Sequence, residues 1–301
     1  MRVVITGGSG LIGSHLTRSL AGDGHEVVVL SRRPEEVGGL PSGARAQGWD
    51  GRTAAGWGHL VAGAAVVHLA GESIAAGRWT EAKKRRIRTS RVDSSRALVE
   101  AVEEAPEKPR VLLQASAVGY YGPRGDEDVA EDEPPGSDFL GRTCVEWEEA
   151  SAAVEALGVR RPVLRTGLVL ARDGGALAKM LLPFRLFAGG PVGSGRQAMP
   201  WIHLADEVGA IRFLLDHPTA TGPFNLASPN PVTNREFARA VGRVLKRPSF
   251  LPAPAFALRL ALGEMADILL AGQRAVPLRL AGLGFLFRFP TLEPALRDLL
   301  Q

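Results

Sequence analysis

Three glycines spaced three residues apart lie in the run Val3-Val4-Ile5-Thr6-Gly7-Gly8-Ser9-Gly10-Leu11-Ile12-Gly13, and their chemistry needs no reactive side chain. A glycine turn brings bare backbone up to an anion, and the unpaired N–H groups of a following helix hold it at the positive end of the helix dipole. In that arrangement Gly7 permits the tight turn, Gly10 the close approach of a pyrophosphate, and Gly13 the packing of helix on strand. A second informative group, Ser31-Arg32-Arg33, comes after another β-branched run, Glu26-Val27-Val28-Val29-Leu30. A dinucleotide site built for NAD carries an acid at about this place for the ribose 2′-hydroxyl. Arginine there reads instead as recognition of a 2′-phosphate, which a guanidinium binds bidentately and a carboxylate repels. The pair points to NADP.

The elements that must hold these groups alternate regularly. Strand signals recur at Arg45–Trp49, Ala64–Gly71, Arg110–Ser116 and Val163–Leu170, with helices expected over Thr80–Glu104 and Asp138–Leu157. Repeated strand–helix alternation predicts an α/β fold: a Rossmann-type, doubly wound parallel sheet with ligands beyond the C-terminal ends of its strands. We expect a dinucleotide-binding domain over residues 1–171, to which the chain returns around 201–227. A smaller substrate-side lobe and C-terminal helical region should occupy 172–301. Within it lie a glycine-rich loop, Gly189 to Gln197, a helix capped by Asp206, and a capping box at Thr233–Glu236 that opens a helix to about Leu245. The apolar segment Phe256–Leu270 carries Arg259, Glu264 and Asp267 and reads as a packed helix.

Composition narrows the function. The chain has 301 residues, 45% of them hydrophobic, and one cysteine, Cys144, which excludes an internal disulfide and a multi-cysteine metal site. No metal is expected. No leader-like or long uncharged apolar segment is visible, so a cytoplasmic protein without membrane contact is expected. The net charge of +4 raises the question of nucleic acid. The densest basic run, Lys83 to Arg91, lacks interleaved aromatics, and Lys83, Lys84 and Arg85 read as a solvated helix face; no nucleic-acid partner is expected.

The segments Leu69-Ala70-Gly71-Glu72, Ser116-Ala117-Val118-Gly119-Tyr120-Tyr121-Gly122, Trp147-Glu148, Arg165-Thr166-Gly167-Leu168, Gly189-Gly190-Pro191, Trp201-Ile202-His203 and Leu262-Gly263-Glu264 occur in order along almost the whole chain. With them the chain resembles an atypical extended short-chain dehydrogenase/reductase, in the epimerase/dehydratase-like branch that ends in a C-terminal domain of unknown function. The resemblance implies cofactor contacts at Gly7, Gly10, Gly13, Ser31, Arg32, Leu69, Ala70, Arg86, Arg91 and Leu168. Neighbouring Ser9, Leu11, Ile12 and Gly71 complete the candidate cofactor set.

The same resemblance implies a Ser or Thr after the fifth strand and a Tyr-x-x-x-Lys on the next helix, the pair that exchanges a proton while hydride moves. Ser116 fits the first. The second falls on Phe139 and Thr143, neither of which can do acid–base work. The substitutes are the chain's two tyrosines, Tyr120 and Tyr121, of which Tyr121 joins Ser116 as a catalytic candidate. Their bland alternative is wall packing, and His203 reads more readily as a structural histidine than as a catalytic one. Glu72 is a candidate for ribose or substrate contact, and Arg196 and Gln197 for gripping an anionic substrate. Two functions are then open: an NADP-dependent oxidoreductase or epimerase-like enzyme acting on a small or nucleotide-linked substrate, or an NADPH-binding sensor that has lost turnover.

Overall fold

The β-branched runs form strands because both of their faces are covered. A computed structural model, which describes residues 1–301, places seven of them in one sheet: β1 (Arg2–Thr6), β2 (Glu26–Ser31), β3 (Ala44–Gly48), β4 (Ala65–His68), β5 (Val111–Ala117), β6 (Pro162–Thr166) and β7 (Gly222–Leu226). Their order is β7-β6-β5-β4-β1-β2-β3, and every neighbouring pair is parallel. The order reverses between β1 and β4, which creates the crevice where such sheets bind ligands.

On one face, α1 (Leu11–Gly22) and a helix at Leu204–Asp216 bring Leu16, Leu20, Ile211 and Leu214 onto Val3, Ile5, Val27 and Val29. On the other, α2 (Glu81–Glu104) and Trp57 cover Val4, Val28, Val66 and Leu112. Each such buried side chain stabilises the fold by roughly 1.5–3 kcal/mol. A third cluster joins helices at Gly175–Arg185, Asn234–Leu245 and Leu292–Leu300 around Trp201. No helix is long and apolar enough to cross a membrane.

Several elements differ locally from the sequence expectation. The stretch Val163–Leu170 breaks at Gly167, where a Cβ would press on the carbonyl of Pro200. Past the break, Leu168–Leu170 pairs instead with Trp201–His203 in a separate two-stranded sheet. The helix after Asp138, α3 (Phe139–Glu149), stops well short of Leu157. The cap at Leu204 is the imidazole of His203, whose Nδ1 accepts from the Ala205 amide at 3.0 Å. Asp206 accepts from the amides of Arg288 and Phe289 and so ties the C-terminal segment to this helix. The capping box at Thr233 and Glu236 forms as expected.

Candidate functional site

At the end of β1 the chain adopts a left-handed turn at Gly7 (φ +69°), and a Cβ there would sit 2.8 Å from the backbone of Leu69. A Cβ on Gly13 would strike the Gly7 carbonyl and lie 2.6 Å from Gly8 Cα. The glycines thus let three backbones meet at one point. Gly10 caps α1 with no side-chain hydrogen bond, and the amides of Leu11, Ile12 and Gly13 have no acceptor in the chain. No acidic side chain lies in the first helical turn. The turn therefore fits a diphosphate.

The wall facing this turn is held by a polar chain that the sequence does not reveal. Thr6 Oγ1 accepts from the amides of Leu69 and Ala70 at 3.1 and 3.2 Å, so its own proton goes to His68 Nδ1 at 2.6 Å. That fixes the proton of His68 on Nε2, which faces Ser94 and Ser95 at 3.2 Å. Burial, and then the charge of Arg91, pulls the imidazole down to a pKa of about 3, so it stays neutral. The Leu69-Ala70-Gly71 backbone is fixed accordingly. Arg91 reinforces it: its guanidinium lies 3.1 Å from where a Gly71 Cβ would be, and 4.8 Å from the Trp147 ring.

At the end of β2, Arg33 pairs with Glu36, but the exposed Arg32 side chain makes no hydrogen bond or ion pair. Beyond β4, Glu72 receives Lys83 Nζ at 2.7 Å and lies 3.7 Å from Arg86 Nε. The bond from Lys83, with help from the charges of Arg86 and Arg32, holds the Glu72 carboxyl below its ordinary range. This corrects the expectation of a solvated face over Lys83–Arg85. Arg85 is exposed, but Lys83 is only 4% exposed, and Lys84 bridges Glu81 and Glu264.

On the other side of the crevice, Ser116 at the end of β5 donates to Glu148 Oε1 at 2.6 Å. Arg165, on β6, grips both oxygens of the same carboxylate at 2.9 Å. Burial is the largest single influence and would lower the guanidinium's pKa; the bond to Glu148, its charge and Tyr121 together outweigh it and raise it. Arg165 also donates to Tyr121 Oη at 3.1 Å and lies 3.4 Å from the Tyr120 ring centre. Tyr121 in turn donates to Asn225 at 2.7 Å, is 1% exposed, and is pushed up by burial to a pKa of about 12. Its proton is committed inside the protein. Phe139 packs edge-on to Trp79, and Thr143 donates to the Phe139 carbonyl at 2.7 Å. Cys144 is buried and pushed up to about 12, with no nucleophilic character.

Two of the remaining candidates, His203 and Gln197, make internal contacts. His203 stacks on Phe289 at 4.0 Å, and burial lowers its pKa. Gln197 spends its amide on the carbonyls of Val192 and Leu269, which folds the glycine-rich loop against the C-terminal segment. Arg196 is exposed and makes no ion pair. Leu168 sits at the start of its short strand, with its amide on the Pro200 carbonyl. No three His, Cys, Asp or Glu side chains gather as a metal site would require.

Comparison with known proteins agrees with the fold. Residues 3–227 match the NAD dependent epimerase/dehydratase family, and residues 253–299 match a domain of unknown function, DUF1731. The epimerase family protein YfhF of Bacillus subtilis is 39% identical over 301 residues, covering 100% of this chain and 98% of its own. The crystal structure of human epimerase family protein SDR39U1 with NADPH superposes with a TM-score of 0.89 at 37% identity, covering 99% of both chains. A nucleoside-diphosphate sugar epimerase from Corynebacterium glutamicum is 32% identical with a TM-score of 0.78; the match covers 99% of this chain and 58% of that one.

Proposed function

We propose that this chain, which belongs to the NAD dependent epimerase/dehydratase family, binds NADP(H) and acts as a slow oxidoreductase or epimerase-like enzyme on a small or nucleotide-linked substrate. The observation that carries the cofactor reading is the unpaired Arg32 at the end of β2, on the same sheet edge as the uncapped turn at Gly10. The relative solved with NADPH supports it. Gly7 to Gly13 would hold the diphosphate, Ser31, Arg32 and Arg86 the 2′-phosphate, and the Leu69–Gly71 backbone, Arg91 and Leu168 the remainder. NADP(H), when bound, supplies hydride transfer.

The protein's own contribution is proton handling at Ser116. Oxidation of a substrate alcohol releases a proton to Ser116 Oγ as the Ser116 proton passes to Glu148 Oε1; reduction of a carbonyl runs the same path backward. Arg165 positions Glu148 for that exchange through its two-point grip. The sensor reading is favoured by a separate observation: the hydroxyls of Tyr121 and Thr143 are both consumed by internal acceptors. Losing a positioned acid–base group typically costs about 100- to 10,000-fold in rate. The two readings separate in one assay, following NADPH oxidation with a carbonyl panel and sugar-nucleotide interconversion. Slow turnover abolished by Ser116→Ala supports the enzyme; tight binding with no turnover supports the sensor. Ordinary enzyme rates unaffected by Ser116→Ala would place the chemistry elsewhere.

A further inference from the structure

We infer that Lys83 cancels the charge of Glu72 so that this site accepts a 2′-phosphate, which makes Lys83 a specificity-determining residue for the cofactor; the inference rests on the NADP(H) reading above. Glu72 is fixed in place. Its amide donates to Ser90 Oγ at 3.0 Å, and its carbonyl accepts from Arg91 Nη1 at 3.1 Å. The loop cannot carry the carboxylate away without breaking both bonds. The strands β2 and β4 flank β1, so Arg32 and Glu72 lie on either side of its C-terminal end.

A bare carboxylate at that position would attract Arg86 and repel a phosphate. Lys83 prevents this. Its ammonium is buried, 2.7 Å from Glu72 Oε1, and a buried ammonium without its carboxylate is strongly unfavourable, so the pair persists. Arg86 lies farther off, at 3.7 Å, with a 61% exposed side chain. With Glu72 neutralised by Lys83, Arg32 and Arg86 remain as two cations for a phosphate monoester of about −1.5 to −2 charge. The site's surplus charge matches that ligand. An NAD site would need no such cancellation, since its acid bonds the ribose hydroxyl directly.

The test is calorimetric titration of NADPH and NADH into wild type, Lys83→Met, Glu72→Gln and the double variant. Lys83→Met should weaken NADPH about tenfold more than NADH, because an uncancelled carboxylate then faces the phosphate. The double variant should return the NADPH:NADH preference to within about threefold of wild type, a rescue that a packing role for Lys83 would not give. An unchanged preference in Lys83→Met, or no recovery in the double variant, overturns the inference. Should Lys83→Met fail to fold, Glu72→Gln alone decides: its preference should equal or exceed wild type, and a fall contradicts the inference. Equal affinities in wild type would overturn this inference and the NADP reading together. A wild-type preference that Lys83→Met leaves unmoved overturns this one alone.

Discussion

At the β1–α1 turn the amides of Leu11, Ile12 and Gly13 and the guanidinium of Arg32 have no partner within the chain, whereas from the end of β5 onward the hydroxyls of Ser116, Tyr121 and Thr143 are given to Glu148, Asn225 and the Phe139 carbonyl. The first region leaves its donors for a ligand. The second satisfies them internally, and Arg165 ties Glu148 of α3 to β6. Removing a group should therefore cost binding on one side and stability on the other.

The largest expected effect tests the second half of that contrast. Glu148→Ala strands the Arg165 guanidinium, whose side chain is 5% exposed, and should destabilise the protein by about 3–5 kcal/mol in denaturant unfolding. Arg32→Ala should stay within about 0.5 kcal/mol of wild type. Comparable losses from both would erase the distinction between the regions. Next, Gly13→Ala drives a methyl into the Gly7 and Gly8 backbone and should weaken NADPH on the order of 100-fold, equivalent to about 2.7 kcal/mol, by titration. A variant that binds normally would mean the turn does not carry the diphosphate.

Glu207 sharpens the comparison, because it is a buried acid that the protein satisfies at only one of its two oxygens. It is buried, accepts from Thr166 at 2.9 Å with one oxygen, and has no partner for the other. Burial pushes its pKa up to about 8, so the folded protein holds a proton that the unfolded chain releases near the ordinary value of 4.5. The stability this supplies is complete below about pH 4.5 and is lost as pH rises toward 8. Glu207→Gln should remove that decline, gaining roughly 3.5 kcal/mol over wild type at pH 8 relative to pH 5. Parallel stability–pH curves would show that the carboxyl is not held neutral. Smaller still, Ser116→Ala should cost about 1 kcal/mol in unfolding, the ordinary worth of one hydrogen bond, and leave NADPH affinity unchanged. Weaker NADPH binding would move Ser116 into the cofactor region.

The sheet and the phosphate turn were legible because their signals are local: β-branched runs between glycines, and a capping box whose two residues stand three apart. The break at Gly167 was not, since it depends on the Pro200 carbonyl arriving from 33 residues downstream. The same is true of Lys83. A run of five basic residues in six positions looks solvated, and only the loop at Glu72 shows that one of them is buried. His68 read as one more residue of a strand; its role comes from Thr6 and from α2, 62 and 27 positions away. Glu148 carried a trace in the Trp147-Glu148 segment, but nothing in the sequence joined it to Ser116 and Arg165.

On the NADP(H) reading, Arg32 is what suits the region around the first turn to a 2′-phosphorylated dinucleotide. Titrating NADPH and NADH against wild type and Arg32→Asp tests it most directly. Wild type should bind NADPH at least about tenfold more tightly than NADH, a difference of about 1.4 kcal/mol, and the variant should lose that preference. Equal affinities for the two cofactors in wild type would contradict it.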